Sequence, residues 1–317
     1  MALPEGQLEV GAFLRALAGG PPVETHISAV FVGADTVWKL KKAVRLSFLD
    51  FSTLEARHRF LRRELELNRP HAPEIYRDIA AIERGSDGRL TMRPEAESRA
   101  PLDWVLRMAP IPPDSFLNRV AERGGLDPAL LDALGDCVAR DHRERLPVGG
   151  VDSAAALRRI AAGAADSARS AGLAPEEVDR WEADIARMLG EIAAWLNERA
   201  ASGFVRRCHG DLHLGNVCMW NGQPVPFDAL EFDEDLATID VGYDVAFLLM
   251  DVDCRVGRPA ANRLFNRYLA RSGDAAVVRG LPAFLSLRAM VRAELVLDFS
   301  SLAAVKPLGE TEDARLV

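Results

Sequence analysis

The sequence predicts an α+β fold in two parts, a small β-rich N-terminal lobe over 1–108 and a larger, mainly helical C-terminal lobe over 109–317. Three observations predict it. The first third carries two hairpin signals, in which β-branched and aromatic runs flank a glycine-containing turn. Beyond it, apolar residues recur at helical spacing over 130–142, 153–171 and 175–199, and again from 241 to 297. A chain of 317 residues also exceeds one typical domain.

The first hairpin runs over 27–32, turns at Gly33-Ala34-Asp35 and returns over 36–41, with Val37, Lys39 and Lys41 on one face of its second strand. A helix is expected over 53–68, where Leu54, Phe60, Leu61, Leu65 and Leu67 recur at helical spacing and Arg57, Arg59, Arg62 and Arg63 read as a solvated face. The second hairpin pairs 75–82 with 90–92 around Gly85-Ser86-Asp87-Gly88. A last strand over 104–108 leads into a hinge at Met108-Ala109-Pro110. In the helix over 175–199, Val178, Trp181, Ile185, Leu189, Ile192 and Leu196 form one stripe, a core face. Short strands follow at Val205, 217–220 and 225–227, the last two joined by Asn221-Gly222. The run 245–250, broken by Asp251 and Asp253, reads as a buried core helix too short to span a bilayer, and 306–311 as a loose polar terminus.

The chemistry is concentrated in His209-Gly210-Asp211-Leu212-His213-Leu214-Gly215-Asn216 and Pro226-Phe227-Asp228. An Asp followed five positions later by an Asn, with a second Asp on the next hairpin, is the spacing of a phosphotransferase catalytic loop. In it one carboxylate, Asp211, orients a hydroxyl, while Asn216 and Asp228 offer hard oxygen ligands that suit Mg²⁺ on nucleotide phosphates. Gly210 and Gly215 let the loop turn tightly. Two competing readings exist. His209, Asp211 and His213 alternate, so on an extended strand they would face one way as metal ligands, but this explains neither Asn216 nor Asp228. In the other, Asp211 and Asn216 merely cap a turn. His209 itself reads as a packed, hydrogen-bonded support for the loop. The chain has no Walker loop and no G-x-G-x-x-G.

At these residues the chain resembles the aminoglycoside phosphotransferase-like kinases, relatives of choline and fructosamine kinases that share the two-lobed protein-kinase fold. H-G-D-L-H-x-G-N is their catalytic loop, and 239–246 looks like the family's stretch after the metal Asp. The chain is most similar to a bacterial subgroup marked by F-D-A-x-E-F, Y-D-x-A-F-L-L-M-D, V-W-K-L-K-K and F-L-D-F-S-T-L-E, all present in these 317 residues. Members of that subgroup commonly carry a further C-terminal P-loop domain, so a stand-alone form and a piece of a longer protein both stay open. The resemblance implies ATP and Mg²⁺ as cofactors and transfer of the γ-phosphoryl group to a small-molecule hydroxyl. It implies that Lys39, with Lys41 as the alternative, binds the nucleotide and that Glu64 pairs with it, Glu66 and Glu55 being competitors. Ser28, with the amides of Thr25-His26-Ile27-Ser28, would replace the glycine loop over the phosphates. Met108 would lie at the hinge beside the adenine, and Asp244 would brace the catalytic loop. A nucleotide-binding pseudokinase acting as a regulatory module remains an alternative. So does a protein kinase, although H-R-D, D-F-G and A-P-E segments are missing.

A formal charge of -8 argues against nucleic acid or an anionic membrane as partner and fits a neutral or cationic hydroxyl substrate. Glu231-Phe232-Asp233-Glu234-Asp235 reads either as a solvated loop or as an acidic face that draws in such a cation. The four cysteines form no C-x-x-C pair, which suits a reducing cytosol, and Cys208 reads as an apolar packing residue. Glu5 and Glu9 stand where a signal peptide would be basic, so a cytoplasmic protein is expected. Oligomeric state is left open.

Overall fold

The computed structural model describes residues 2–46 and 49–303, the side chains of 293–303 apart. The expected polar terminus at 306–311, and Phe48 of the F-L-D-F-S-T-L-E stretch, lie outside the described residues. The chain divides into two compact units, Met1–Phe116 with Val225–Asp233, and Leu117–Pro224 with Glu234–Val317. The division expected after residue 108 therefore falls eight residues later, and 225–233, expected in the second part, belongs to the first. The physical reason is that 228–231 is bonded to the sheet unit through Asn68, Tyr76, Lys39 and Lys41.

The first unit is built on a six-stranded antiparallel sheet. In chain order it contains α1 (Leu8–Ala18), β1 (Val23–Glu24), β2 (Ser28–Val32), β3 (Val37–Lys41), the short pair β4 (Arg45–Leu46) and β5 (Leu49–Asp50), α2 (Leu54–Asn68), β6 (Tyr76–Arg84), β7 (Leu90–Pro94) and β8 (Pro101–Met108). The sheet order is β1-β2-β3-β8-β6-β7, so the last strand lies at its centre. Both expected hairpins form, β2 with β3 and β6 with β7. Alternation along the strands sorts the side chains. Ala29, Phe31 and Leu40 bury one face together with Val10 and Leu14 of α1, while Lys39 and Lys41 point the other way, toward α2. Thr53 caps α2 by accepting from the Ala56 N–H, which ends the helix where the sequence placed its start.

The second unit is helical. It comprises α3 (Leu117–Glu122), α4 (Pro128–Glu144), α5 (Ser153–Ser170), α6 (Pro175–Glu191), α7 (Ala193–Ala201), β9 (Val205–Arg207), β10 (Val217–Trp220), β11 (Gln223–Pro226, its last two residues counted with the first unit), α8 (Glu234–Ala237), β12 (Thr238–Asp240), α9 (Val241–Arg255), α10 (Arg258–Ser272) and α11 (Leu281–Ala303). The single helix expected over 175–199 is broken at Ile192, whose backbone leaves helical geometry two residues after Gly190. From its predicted stripe Ile185, Leu189 and Leu196, with Trp181 and Ile192 against them, pack into one core with Leu134, Val138, Leu248 and Tyr268, while Val178 joins a smaller cluster with Ala165 and Ala168. The α9 helix is buried from Val241 to Val252, as expected for a core helix. It starts at Asp240, whose carboxylate accepts from the Gly242 N–H, and a side chain at Gly242 would meet Val277 at 2.2 Å. The β10–β11 turn carries Asn221 and Gly222 with φ of 49° and 76°, the left-handed pair that tightens a two-residue hairpin. No helix among the described residues is long and apolar enough to cross a membrane.

Candidate active site

In the sheet unit, β3, α2 and the segment 228–231 bring five charged groups into one row. Lys39 Nζ lies 2.7 Å from Glu64 Oε1 and 2.6 Å from Asp228 Oδ1. Lys41 Nζ lies 2.9 Å from the other Glu64 oxygen and 2.5 Å from Glu231 Oε1. Glu64 thus serves both lysines, one oxygen each, which leaves neither Glu66 nor Glu55 in that position. Burial opposes the charge on Lys39, but Asp228, Glu64 and Glu231 outweigh it and hold the ammonium protonated far above the usual lysine range. Burial likewise opposes ionisation of Glu64, and the two lysines overcome it, lowering its carboxyl to about 2. For Glu231 burial wins, and its carboxyl is pushed above the ordinary value despite Lys41.

Asp228 has a φ of 60°, a left-handed backbone that costs a non-glycine residue about 1–2 kcal/mol. Its neighbours hold it there. The Asp228 N–H donates to the Tyr76 hydroxyl at 2.9 Å and the Ala229 N–H to Asn68 Oδ1 at 2.9 Å. Ser28 is buried, its hydroxyl has no hydrogen-bond partner among the described residues, and its backbone closes a turn with Thr25. Met108 is buried at the end of β8, and the Ala109 N–H after it donates to the Ile75 carbonyl. That amide is therefore bonded within the fold. Arg57 departs from expectation: it is buried, with its guanidinium on Asp103 and the Phe51 carbonyl, whereas Arg62 on the same helix is exposed. Glu231 leaves the acidic cluster of 231–235 for the same physical reason, since a buried carboxylate needs a cation and Lys41 supplies it.

In the helical unit, the loop between β9 and β10 carries Asp211 and Asn216. Asn216 Nδ2 donates to Asp211 Oδ2 at 2.9 Å and to the Asp211 carbonyl at 3.0 Å, which ties the two residues together and leaves the Asn216 amide oxygen as the end that can face a cation. Asp211 is partly exposed. Burial works against its ionisation, but His213, His209 and Arg288 prevail and hold the carboxyl well below the usual range. The loop backbone turns at Gly210 with φ of 85°. Gly215 is needed for room instead: a side chain there would meet His213 Nδ1 at 3.0 Å.

Two acids of α9 pin this loop. Asp244, fully buried, accepts from the Gly210 N–H at 2.8 Å, from the His209 N–H at 3.3 Å and shares a 3.0 Å bond with His142 Nε2. Asp251 accepts from the Leu214 N–H at 2.9 Å. Arg288 Nη1 donates to the Gly210 carbonyl at 3.1 Å while its guanidinium stacks 3.9 Å from the Tyr243 ring. The two loop histidines turn inward to support the turn, His209 Nδ1 accepting from the Asp211 N–H and His213 Nδ1 from the Gly215 N–H. Among the described residues the three-ligand group that converges is not His209, Asp211 and His213 but His142, Cys208 and Asp244, within 4.8 Å. There the Cys208 thiol is raised well above its ordinary value, chiefly by burial, and Asp244 is committed to the loop amides. Cys208 is the packing residue expected of it.

Residues 108–281 match the phosphotransferase enzyme family. The chain belongs to that family. Uncharacterized proteins of Mycobacterium tuberculosis and Mycobacterium bovis are each 27% identical to it over 282 residues, 86% of this chain and 53% of theirs, so the chain spans about half the length of the curated relatives it matches. An aminoglycoside phosphotransferase from Streptomyces rimosus superposes with a TM-score of 0.53 at 19% identity, covering 89% of this chain and 98% of that one. Its complex with ADP and streptomycin gives 0.50 at 18% identity, covering 90% and 99%. The fold is accordingly the two-lobed kinase-like α+β fold. Within this chain, sequence reasoning missed His142, Asp251 and Arg288 as supports of the loop. Asp251 was noted only as an interruption of an apolar run, although a charge in an otherwise buried helix was itself a signal that a polar partner exists.

Proposed function

We propose that the chain is an ATP-dependent kinase that transfers the γ-phosphoryl group to a hydroxyl of a small molecule. The observation that carries this is the pair of Asp211 and Asn216: an ionised, partly exposed carboxylate bonded to the side chain of the residue five positions on, in a loop pinned from behind by Asp244 and Asp251. Asp211 accepts a hydrogen bond from the acceptor hydroxyl and so aims its oxygen at phosphorus. Because its carboxyl lies well below the usual range it is a weak base, and it takes the proton late, once the forming bond has made the hydroxyl acidic.

Asn216, through its amide oxygen, and Asp228 are the residues that would hold Mg²⁺, and their hard oxygen donors suit that ion. When bound, Mg²⁺ would neutralise charge that develops on the transferred group. Lys39 keeps 13% of its side chain exposed and Lys41 none, which favours Lys39 as the lysine that grips the phosphates, with Glu64 as its orienting partner. Ser28 and Met108 are proposed on the nucleotide side of the same site. An intact set of Asp211, Asn216 and Asp228 argues against a pseudokinase.

The acceptor we propose is a cationic hydroxyl compound such as an amino sugar or amino alcohol. The net charge of -8 supports it, and the S. rimosus enzyme has a structure in complex with ADP and streptomycin. The test is ATP turnover with Mg²⁺ across amino sugars, amino alcohols, nucleosides, sugars and sugar phosphates, with Asp211→Ala as the blank. Cationic acceptors should lead, with KM rising as salt screens the field. A sugar phosphate as best acceptor removes the substrate class, and turnover that no acceptor stimulates removes the kinase reading.

A further inference from the structure

Lys39 and Lys41 leave the same face of β3 and share Glu64, yet they end in different surroundings. Lys41 is wholly enclosed, its ammonium 5.1 Å from the centre of the Phe51 ring, with Glu64 on one side and Glu231 on the other. The charges therefore alternate along one row: Asp228, Lys39, Glu64, Lys41, Glu231. Both ends of that row belong to one four-residue segment, 228–231, and the segment begins with the left-handed Asp228.

A backbone held in that region persists only when its surroundings over-determine it. Tyr76 and Asn68 fix the first two amides, and Lys41 fixes the far end through Glu231. A buried ion pair is a poor means of adding stability, because desolvation offsets most of the attraction and an apolar pair of similar volume serves as well. Its direction and fixed length are what an apolar pair lacks.

We infer that Lys41 and Glu231 are positioning residues, a buried staple that holds 228–231 against β3 and α2 so that Asp228 keeps its left-handed backbone when Lys39 exchanges the Asp228 carboxylate for a nucleotide phosphate. The inference rests on the kinase reading. Neither Lys41 nor Glu231 touches the nucleotide; both act through Asp228.

The experiment compares the full chain with K41M, E231M, K41M/E231M and E231Q, measuring thermal unfolding and, by calorimetry, binding of Mg·ATP and of metal-free ATP. K41M leaves the buried Glu231 without its cation and should unfold at lower temperature, E231M leaves Lys41 on Glu64 alone and should cost less, and the double substitution should recover most of the K41M loss. Mg·ATP affinity should not recover with it, staying at least about tenfold weaker in the double variant, while metal-free ATP, which depends on Lys39, changes less. E231Q keeps shape and acceptor and should fall in between; it decides the matter if the double variant does not fold. Wild-type Mg·ATP affinity in the double variant, or in E231Q should that one decide, would make the pair packing alone and overturn the inference. A wild-type chain that binds no Mg·ATP would remove the kinase reading and the inference with it, an outcome distinct from equal binding by wild type and variants.

Discussion

Replacing Asp244 by Asn tests whether the loop that carries Asp211 and Asn216 is held from behind. The substitution preserves size and shape but leaves one oxygen where there were two. In the wild type, Oδ1 takes the Gly210 N–H at 2.8 Å, and Oδ2 takes His142 Nε2 at 3.0 Å and the His209 N–H at 3.3 Å. If the amide oxygen keeps Gly210, its NH₂ meets the His209 N–H donor to donor; if it turns, Gly210 loses its partner. One charge-assisted bond in a buried site is worth about 1.5–3 kcal/mol, and an unpaired buried cation raises the cost to about 3–5 kcal/mol. Arg288 Nη2 is 3.9 Å from Oδ1, but Nε and Nη1 of the same guanidinium donate to the Tyr243 and Gly210 carbonyls, so the group is only partly orphaned. The lower end applies, about 3 kcal/mol, or a fall of roughly 6–12 °C in Tm.

The catalytic effect should exceed what lost stability explains. Gly210 precedes Asp211, and displacement of a reacting group by about 1 Å costs on the order of 10² in rate. Thermal unfolding and steady-state kcat, both measured well below the variant's Tm, give the two numbers. An Asp244→Asn protein with Tm within about 2 °C of wild type and kcat within about threefold would refute the argument that this carboxylate sets the loop.

Asp211→Asn should fold normally and lose about 10²–10⁴ in turnover, since the partner of the acceptor hydroxyl is gone while Asn216 can still bond to the side chain; near-normal turnover would take Asp211 out of the mechanism. Asp228→Ala should abolish Mg²⁺-dependent nucleotide binding and Lys39→Ala should weaken nucleotide affinity with or without Mg²⁺, and calorimetry that finds Mg·ATP binding unchanged in both would sink the site. Stability should fall in acid. The carboxyls of Asp211 and Asp244 are depressed in the folded chain, so their contribution is complete above the unfolded value of about 3.9 and is lost as pH drops below it toward the depressed folded values. Urea unfolding from pH 7 to pH 2 should show that loss, and a smaller one in Asp244→Asn; parallel profiles would contradict it.

What the sequence made legible was whatever is encoded within a few residues. The turn at Asn221-Gly222, the cap at Thr53, the two hairpins and the spacing of Asp211 and Asn216 depend on neighbours, so the pattern identifies them. The misreadings share the opposite property. Arg57 was assigned to a solvated face because nothing near it in sequence calls for an arginine; its partner Asp103 is 46 positions away. Glu231 was counted with its acidic neighbours, and its cation lies 190 positions back. His142 and Asp244 are 102 apart, and neither residue carries a local mark of the other.

The lysines of β3 show where the limit lies. Strand alternation places Lys39 and Lys41 on one face and can go no further, since both then satisfy every local requirement for a phosphate-binding lysine. Burial separates them. Glu64 gives one oxygen to each, but the strand carries Lys41 two residues further along, beneath Phe51 and onto Glu231, and leaves Lys39 facing Asp228 with part of its side chain exposed. A group that must exchange its partner when a ligand arrives has to remain reachable, whereas one that fixes the geometry of that exchange does better enclosed. The division of labour between two identical side chains is set by what packs over them, and that is information the strand's own sequence does not contain.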